Sequence, residues 1–303
     1  MNNIFLYTLT VLIWGSTWFA INFQLGNVEP EASVVYRYVL ASAVIFIFCI
    51  LKQQSLKFSL RAHCQLFAFG ICLFGINYFL LYNAQQNINS ALACIAFSTL
   101  MIMNIFNARL FFGTKIKANV YLGSFLGLVG IITLFWPQVT NLSLSDSTVL
   151  GFVLCLVGTL SASFGNMLSI KNQQDGFAIM PANAWAMGYG ALFMTVLLLL
   201  QGKSFSFEWS FSYLGSLLYL SIFGSVIAFA CYLTLLTKIG AQKASYANIL
   251  FPAVAVAIST MFEGFIWSEY TLMGFVAIML GNVVIITDIK KLRARKTNVP
   301  ASI

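Results

Sequence analysis

The feature that most constrains this chain is a series of long apolar runs almost free of charge, each near the length that carries a helix across about 30 Å of hydrocarbon, which is about 20 residues. The runs fall near residues 4–23, 34–51, 64–83, 88–112, 120–136, 149–169, 182–200, 211–236, 244–267 and 271–289. Helix-stopping residues separate them, among them Gly26, Asn27, Glu29 and Pro30, then Trp136, Pro137 and Gln138, Asp175, Gly176 and Pro181, and Gln201, Gly202 and Lys203. An ordinary globular domain is about 25% charged; this chain is 8% charged and 60% hydrophobic, too apolar to be hidden by a soluble fold. The fold class read from the sequence is an all-α polytopic membrane protein with ten transmembrane helices. Residues 1–23 have no Lys or Arg before the apolar run and no small-x-small cleavage pattern, so they read as a retained first helix.

The formal charge of +8 suggests nucleic acid only until the charges are placed. Thirteen of the sixteen Lys and Arg fall in alternate connectors and the tail: Lys52, Lys57, Arg61, Lys115, Lys117, Lys171, Lys238, Lys243, Lys290, Lys291, Arg293, Arg295 and Lys296. Lys203 stands alone on the opposite side, and Arg37 and Arg109 fall inside or at the ends of spans. The positive-inside bias then puts both termini in the cytoplasm and Trp136, Trp209 and Trp267 at the outer interface. Membrane lipids are the expected surroundings and nucleic acid is not an expected partner. The six cysteines form no Cys-x-x-Cys pair and read as small core residues, with no cofactor and no metal site expected.

An internal repeat follows. Shifting the chain by 151 residues aligns Gly113 with Gly264, Gly123 with Gly274 and Gly130 with Gly281, and a shift of 150 aligns Gly15 with Gly165 and Tyr82 with Tyr232. The expected domains are residues 1–145 and 146–289, five helices each, with a basic tail at 290–303. An odd helix number per unit makes the second unit insert upside down, the inverted-repeat arrangement of carriers with a site near the midplane. Gly123, Gly127, Gly130, Gly274 and Gly281 read as close-packing faces of the fifth and tenth helices.

The segment Trp14-Gly15-Ser16-Thr17-Trp18, Arg37 in the second helix, and the stretch from Gly240 through Ala244, Pro252 and Phe262-Glu263-Gly264 to Gly274 and Gly281-Asn282 resemble the EamA family of the drug/metabolite transporter superfamily. The resemblance implies a ten-helix carrier of the bacterial inner membrane, commonly an exporter of amino acids or other small metabolites. Where the family usually has a proline in the fourth helix this chain has Met101, whereas the ninth-helix counterpart Pro252 is present, so any helix break at that level is expected to be one-sided.

Polar groups inside hydrocarbon must be satisfied, so those near mid-span mark either helix contacts or a cavity. Thr10, Trp14, Trp18 and Asn22 recur every four residues on one face of the first helix. Asn77, Tyr78 and Tyr82 mark the third helix, and Ser98, Thr99 and Asn104 the fourth; the second half adds Ser161, Ser163, Asn166, Trp185, Tyr189, Tyr232, Tyr246 and Asn248. The candidate substrate-binding set is Trp14, Trp18, Asn22, Asn77, Tyr78, Tyr82, Ser98, Asn104, Ser163, Asn166, Trp185, Tyr189, Tyr246 and Asn248, each with helix-to-helix bonding as the alternative. Arg37 and Glu263 are expected at similar depth near the outer surface, either paired or forming a gate, or else each reaching to the interface.

No Asp, Glu or His falls at mid-span, which points to facilitated or exchange transport, with Glu263 as the one place where proton coupling could enter. The sole histidine, His63, falls in a connector, and no nucleophile-and-base set or acid pair appears, so the chain reads as no enzyme. The favoured reading is a secondary transporter of a small neutral or zwitterionic solute. Multidrug or lipophilic-cation efflux, and a channel or scaffold, are the alternatives; the oligomeric state is left open between monomer and homodimer.

Overall fold

The computed structural model describes residues 2–116, 118–134, 136, 147–239 and 247–286. These residues are helical except for short connectors. The helices are α1 Asn3–Asn22, α2 Pro30–Leu51, α3 Leu60–Gln85, α4 Ser90–Phe112, α5 Ala118–Leu134, α6 Ser147–Gln174 and α7 Ile179–Leu200. Next come α8, continuous through Phe211–Leu218, Tyr219–Ile227 and Ala228–Ile239, then α9 Ala247–Phe262 and α10 Glu269–Ile286. Seven are long and apolar enough to cross a membrane, and α5, α9 and α10 are shorter apolar helices. Large apolar side chains such as Leu51, Leu110, Leu200 and Phe211 point outward and are exposed, which is stable only against lipid.

Local chemistry sets the helix ends. Side chains of Asn2, Ser59, Asn89 and Ser210 accept from the backbone N–H groups of Ile4, Ala62, Leu92 and Tyr213 at the starts of α1, α3, α4 and α8. Pro30 opens α2 with its φ already helical and no N–H to leave unsatisfied, and Glu31 follows in the first turn. The second helix therefore starts earlier than the expected 34, and Arg37 lies about two turns, or about 10 Å, from its end. The Ser59 cap likewise starts α3 early enough to place His63 on a helix instead of in the connector. Pro181 is the third residue of α7, and α9 stops at Phe262, short of Trp267.

The break at the level of Pro252 falls in the other half. The helix α9 runs through Pro252, while α4 is interrupted at Ser98 and Thr99. The two hydroxyls donate to the carbonyls of Ile95 and Ala96 at 2.6 and 2.8 Å, beside the backbone N–H groups of the same two residues, which reach three residues back to those carbonyls.

Helices α3 and α8 each contain a π segment, Ile71–Ile76 and Tyr219–Ile227, where the Asn77 and Ala228 N–H groups reach five residues back to the carbonyls of Cys72 and Phe223. Both segments also accept bonds from other helices: the Ser161 hydroxyl adds a second bond to the Cys72 carbonyl at 2.8 Å, and the Trp14 indole N–H donates to the Gly224 carbonyl at 3.3 Å.

Packing runs crosswise between the two stretches of chain. Helix α1 packs on α8 and α9, and α6 packs on α3 and α4; α2 packs on α7, and α5 on α10. A Cβ on Gly123 would lie 2.5 Å from the Gly281 carbonyl oxygen, and one on Gly130 would lie 2.8 Å from that of Gly274. The reverse approaches, from Gly281 to Gly123 and from Gly274 to Gly130, are both 2.6 Å. The pairs run in opposite order, so α5 and α10 are antiparallel and their backbones touch. All six cysteines are free; Cys49, Cys94, Cys155 and Cys231 are buried.

Candidate functional site

One buried cluster inside the bundle is organised around Arg37. Its side chain is 2% exposed, so it does not reach to an interface. Its Nε–H donates to the Ser225 hydroxyl at 3.2 Å and Nη1 to the Tyr82 hydroxyl at 3.4 Å. The guanidinium carbon stands 4.6 Å from the centre of the Tyr78 ring and 5.4 Å from that of Tyr38, both distances at which an aromatic face attracts a cation. Burial of a charge is costly, and these four neighbours offset part of that cost without supplying an opposite charge.

Trp14 closes one side. Its ring packs against Phe229, Tyr232 and Phe251 at 5.4, 5.1 and 6.5 Å, and its bond to the Gly224 carbonyl ties α1 to the π segment of α8. Gly224 is needed there: a Cβ would come within 2.8 Å of Thr17 Cγ2 and 3.5 Å of Arg37 Nη2. One turn further along α1, Trp18 is buried against Phe97 at 5.2 Å. Trp14, Tyr78 and Tyr82 thus meet at Arg37, with Tyr38, Thr17, Gly224 and Ser225 added by the fold. The sequence offered no signal for Gly224 and Ser225, which read as small residues of an apolar run.

Glu263 lies elsewhere. Its carboxylate accepts from the Asn22 amide and the Ser259 hydroxyl, and from the Ser90 hydroxyl at 2.6 Å. These partners stand at the end of α1, in the last turn of α9 and at the start of α4. Arg37 and Glu263 therefore form no ion pair and do not share a depth: the earlier start of α2 moved the arginine inward, and three uncharged donors satisfy the glutamate. Asn22, read as a substrate contact, holds Glu263.

Several other candidates join helices. The Asn107 amide donates to the Ser163 hydroxyl at 2.8 Å and that of Asn166 to Asn104 Oδ1 at 3.2 Å, both linking α4 to α6. Asn77 is buried and donates to the Leu73 carbonyl at 3.2 Å, leaving its Oδ1 without a partner among the described residues. Ser98 forms part of the α4 break. Tyr246 and the side chain of Asn248 lie outside the described residues.

Trp185 and Tyr189 belong to a third place. The Trp185 indole donates to the Leu56 carbonyl at 3.1 Å, the Tyr189 hydroxyl meets His63 Nδ1 at 2.9 Å, and the His63 ring stands 4.7 Å from Trp185. This aromatic cluster fastens α7 to the connector between α2 and α3, at the end of the bundle that holds Lys52, Lys57 and Lys171. At the opposite end, Lys203 pairs with Glu29 at 2.8 Å and with the buried Glu31 at 2.9 Å. The lone basic residue of that side is thus neutralised.

A model of the EamA-like transporter family matches residues 1–136 and 146–287. The chain is 26% identical over 248 residues to an uncharacterized transporter, YoaV of Bacillus subtilis, covering 81% of this chain and 83% of the relative. It is 27% identical over 255 residues to the uncharacterized inner membrane transporter YedA of Escherichia coli, covering 84% and 80%. Protein PagO of Salmonella typhimurium is 24% identical over 284 residues, covering 91% and 90%. A solved crystal structure superposes over 98% of both chains with a TM-score of 0.67 at 14% identity, a likeness of fold.

Proposed function

Because the chain belongs to the EamA-like transporter family and is a multi-pass membrane protein, we propose that it is a secondary carrier that moves a small neutral or zwitterionic metabolite through the middle of the bundle by alternating access. Residues 1–145 and 146–289 are the two inverted halves, both termini face the cytoplasm of a bacterial inner membrane, and the direction is export. The observation that carries this reading is the crosswise exchange of contacts. Where α1 meets α8, α6 meets α3; where Gly123 meets Gly281, its repeat partner Gly274 meets Gly130. A two-fold axis in the membrane plane produces that pattern, and it gives one bundle two equivalent ways to open.

The ends of the bundle are closed differently, by the Glu263 cluster and the Lys203 pairs at one end and by the Trp185, Tyr189 and His63 cluster at the other. Alternating access would release one set at a time. Transport is driven by the gradient of the solute or by exchange, since among the described residues no carboxylate or histidine contacts Arg37.

Purified protein in proteoliposomes loaded with an unlabelled amino-acid mixture should take up labelled amino acid against its gradient and saturate with concentration. Linear, unsaturable flux would mean a channel, and no flux a scaffold. Uphill uptake driven by an imposed pH gradient in Glu263→Gln would overturn the uncoupled mechanism. Accessibility of single cysteines added at the two ends of the chain tests the shared side.

A further inference from the structure

The charge of Arg37 has no partner of opposite sign among the described residues. Glu29 and Glu31 are taken by Lys203, Asp175 by Lys171, Glu208 by Asn27 and Ser210, and Glu263 by its three donors, while Glu269 lies in the first turn of α10. Within the guanidinium, Nε and Nη1 are bonded, while Nη2 makes no hydrogen bond to any described residue. Nη2 lies beside the π segment of α8 at Gly224, where a Cβ would stand 3.5 Å from it and 2.8 Å from Thr17 Cγ2.

Resting on the carrier reading, we propose that Arg37 is the specificity-determining residue of the site and that the transported solute carries a carboxylate, which binds at Nη2. The planar guanidinium offers parallel N–H groups that fit the two oxygens of a carboxylate, and such charge-assisted bonds are the stronger kind. A buried cation held only by hydroxyls and ring faces binds an anion more readily than a neutral group, because the anion removes the unbalanced charge that the fold leaves. A zwitterion qualifies through its carboxylate end. A lipophilic cation does not, since it would approach a fixed positive charge, which sets aside efflux of such cations by this site. The rings of Trp14, Tyr78 and Tyr232 supply the apolar wall for the rest of the solute.

The test uses the full-length protein in detergent, with thermal unfolding followed against concentration of 3-phenylpropionate, 3-phenylpropionamide and phenethylamine at fixed chloride. A ligand of the native state raises the midpoint as its concentration grows. The acid is expected to raise it in the wild type, with weaker apparent affinity in Arg37→Lys, which keeps the charge but loses the parallel N–H groups, and at least tenfold weaker in Arg37→Gln; the amide and the amine should leave it unchanged. Arg37→Lys keeps the charge, so it keeps the question open to measurement if Arg37→Gln does not fold. Equal effects of acid and amide, an acid effect insensitive to both substitutions, chloride stabilisation with no added effect of the acid, or no acid effect at all would each overturn the proposal. Amino-acid counterflow separates it from the carrier reading. Acid binding without any counterflow sinks the carrier and leaves the anion site, whereas counterflow that persists undiminished in Arg37→Gln sinks the anion site and leaves the carrier.

Discussion

Two seams join the halves of this bundle, and they are built in opposite ways. Between α5 and α10 the backbones touch through Gly123, Gly130, Gly274 and Gly281, with carbonyl oxygens where side chains would be. Around Arg37 the helices meet largely through polar and aromatic side chains: an arginine, two tyrosines, a serine and an indole. Backbone contact of this sort has one good register and rewards rigidity. Side-chain hydrogen bonds in a bundle are individually weak, about 0.6 kcal/mol on average, and can be exchanged for others or for a solute. On the proposed carrier reading, the first seam would be the fixed scaffold and the second the place where a solute competes with the protein's own contacts.

That contrast can be broken most forcefully at the glycine seam. Gly274→Leu puts its Cβ 2.6 Å from the Gly130 carbonyl oxygen and must separate α5 from α10. A loss of more than about 3 kcal/mol is expected, seen as a lowered unfolding midpoint or as aggregation in detergent. Tolerance of leucine there would mean that the seam is not rigid.

Next in size is Glu263→Ala, which strips three donors of their acceptor and should cost about 2 kcal/mol, because hydrogen bonds to charged groups contribute about 1.5–3 kcal/mol. Combined with Arg37→Ala, the losses in stability should add to within about 0.5 kcal/mol, as expected for residues with no shared partner. A larger interaction energy would restore a direct link between the centre and that end.

Lys203→Ala should cost at most about 1 kcal/mol, since the ammonium is partly exposed and such pairs are screened. Burial acts to lower the Lys203 ammonium, but hydrogen bonds and charge from Glu29 and Glu31 outweigh it and hold it above its ordinary value. A raised basic group stabilises fully below its unfolded value of about 10.5 and loses that contribution as pH rises through the folded one. The wild type should therefore lose its advantage over Lys203→Ala above that pH. Smallest of all, Asn104→Ala and Asn166→Ala should each cost about 0.6 kcal/mol and couple in a double-mutant cycle, as one helix-to-helix bond requires.

The residues that were legible in the sequence are those whose role follows from their own neighbours. The apolar runs mark helices because hydrocarbon forces each segment to satisfy its own backbone, and the periodic glycines of the fifth and tenth helices announce a close seam. Arg37 stood out because a charge inside an apolar run is costly wherever it points. Its partners did not, since Ser225 and Gly224 are remote in sequence and look like any small residues of an apolar helix. Pro30 at the first position of α2 misled the estimate of depth, and with it the expected pairing with Glu263. Trp185 and Tyr189 carried the same aromatic signature as Trp14 and Tyr78 but face His63 and Leu56 at one end of the bundle.

By itself the sequence determined that the chain is a series of apolar helices and that it belongs in lipid. Only the tertiary structure decided which polar groups meet, that α4 and not α9 is interrupted, and that the buried Arg37 is left without a counter-charge among the described residues. The reason is physical: burial in lipid depends on each segment's own composition, whereas the rotation of a helix about its axis, and so the neighbour of every polar side chain, depends on packing against segments far away in the chain.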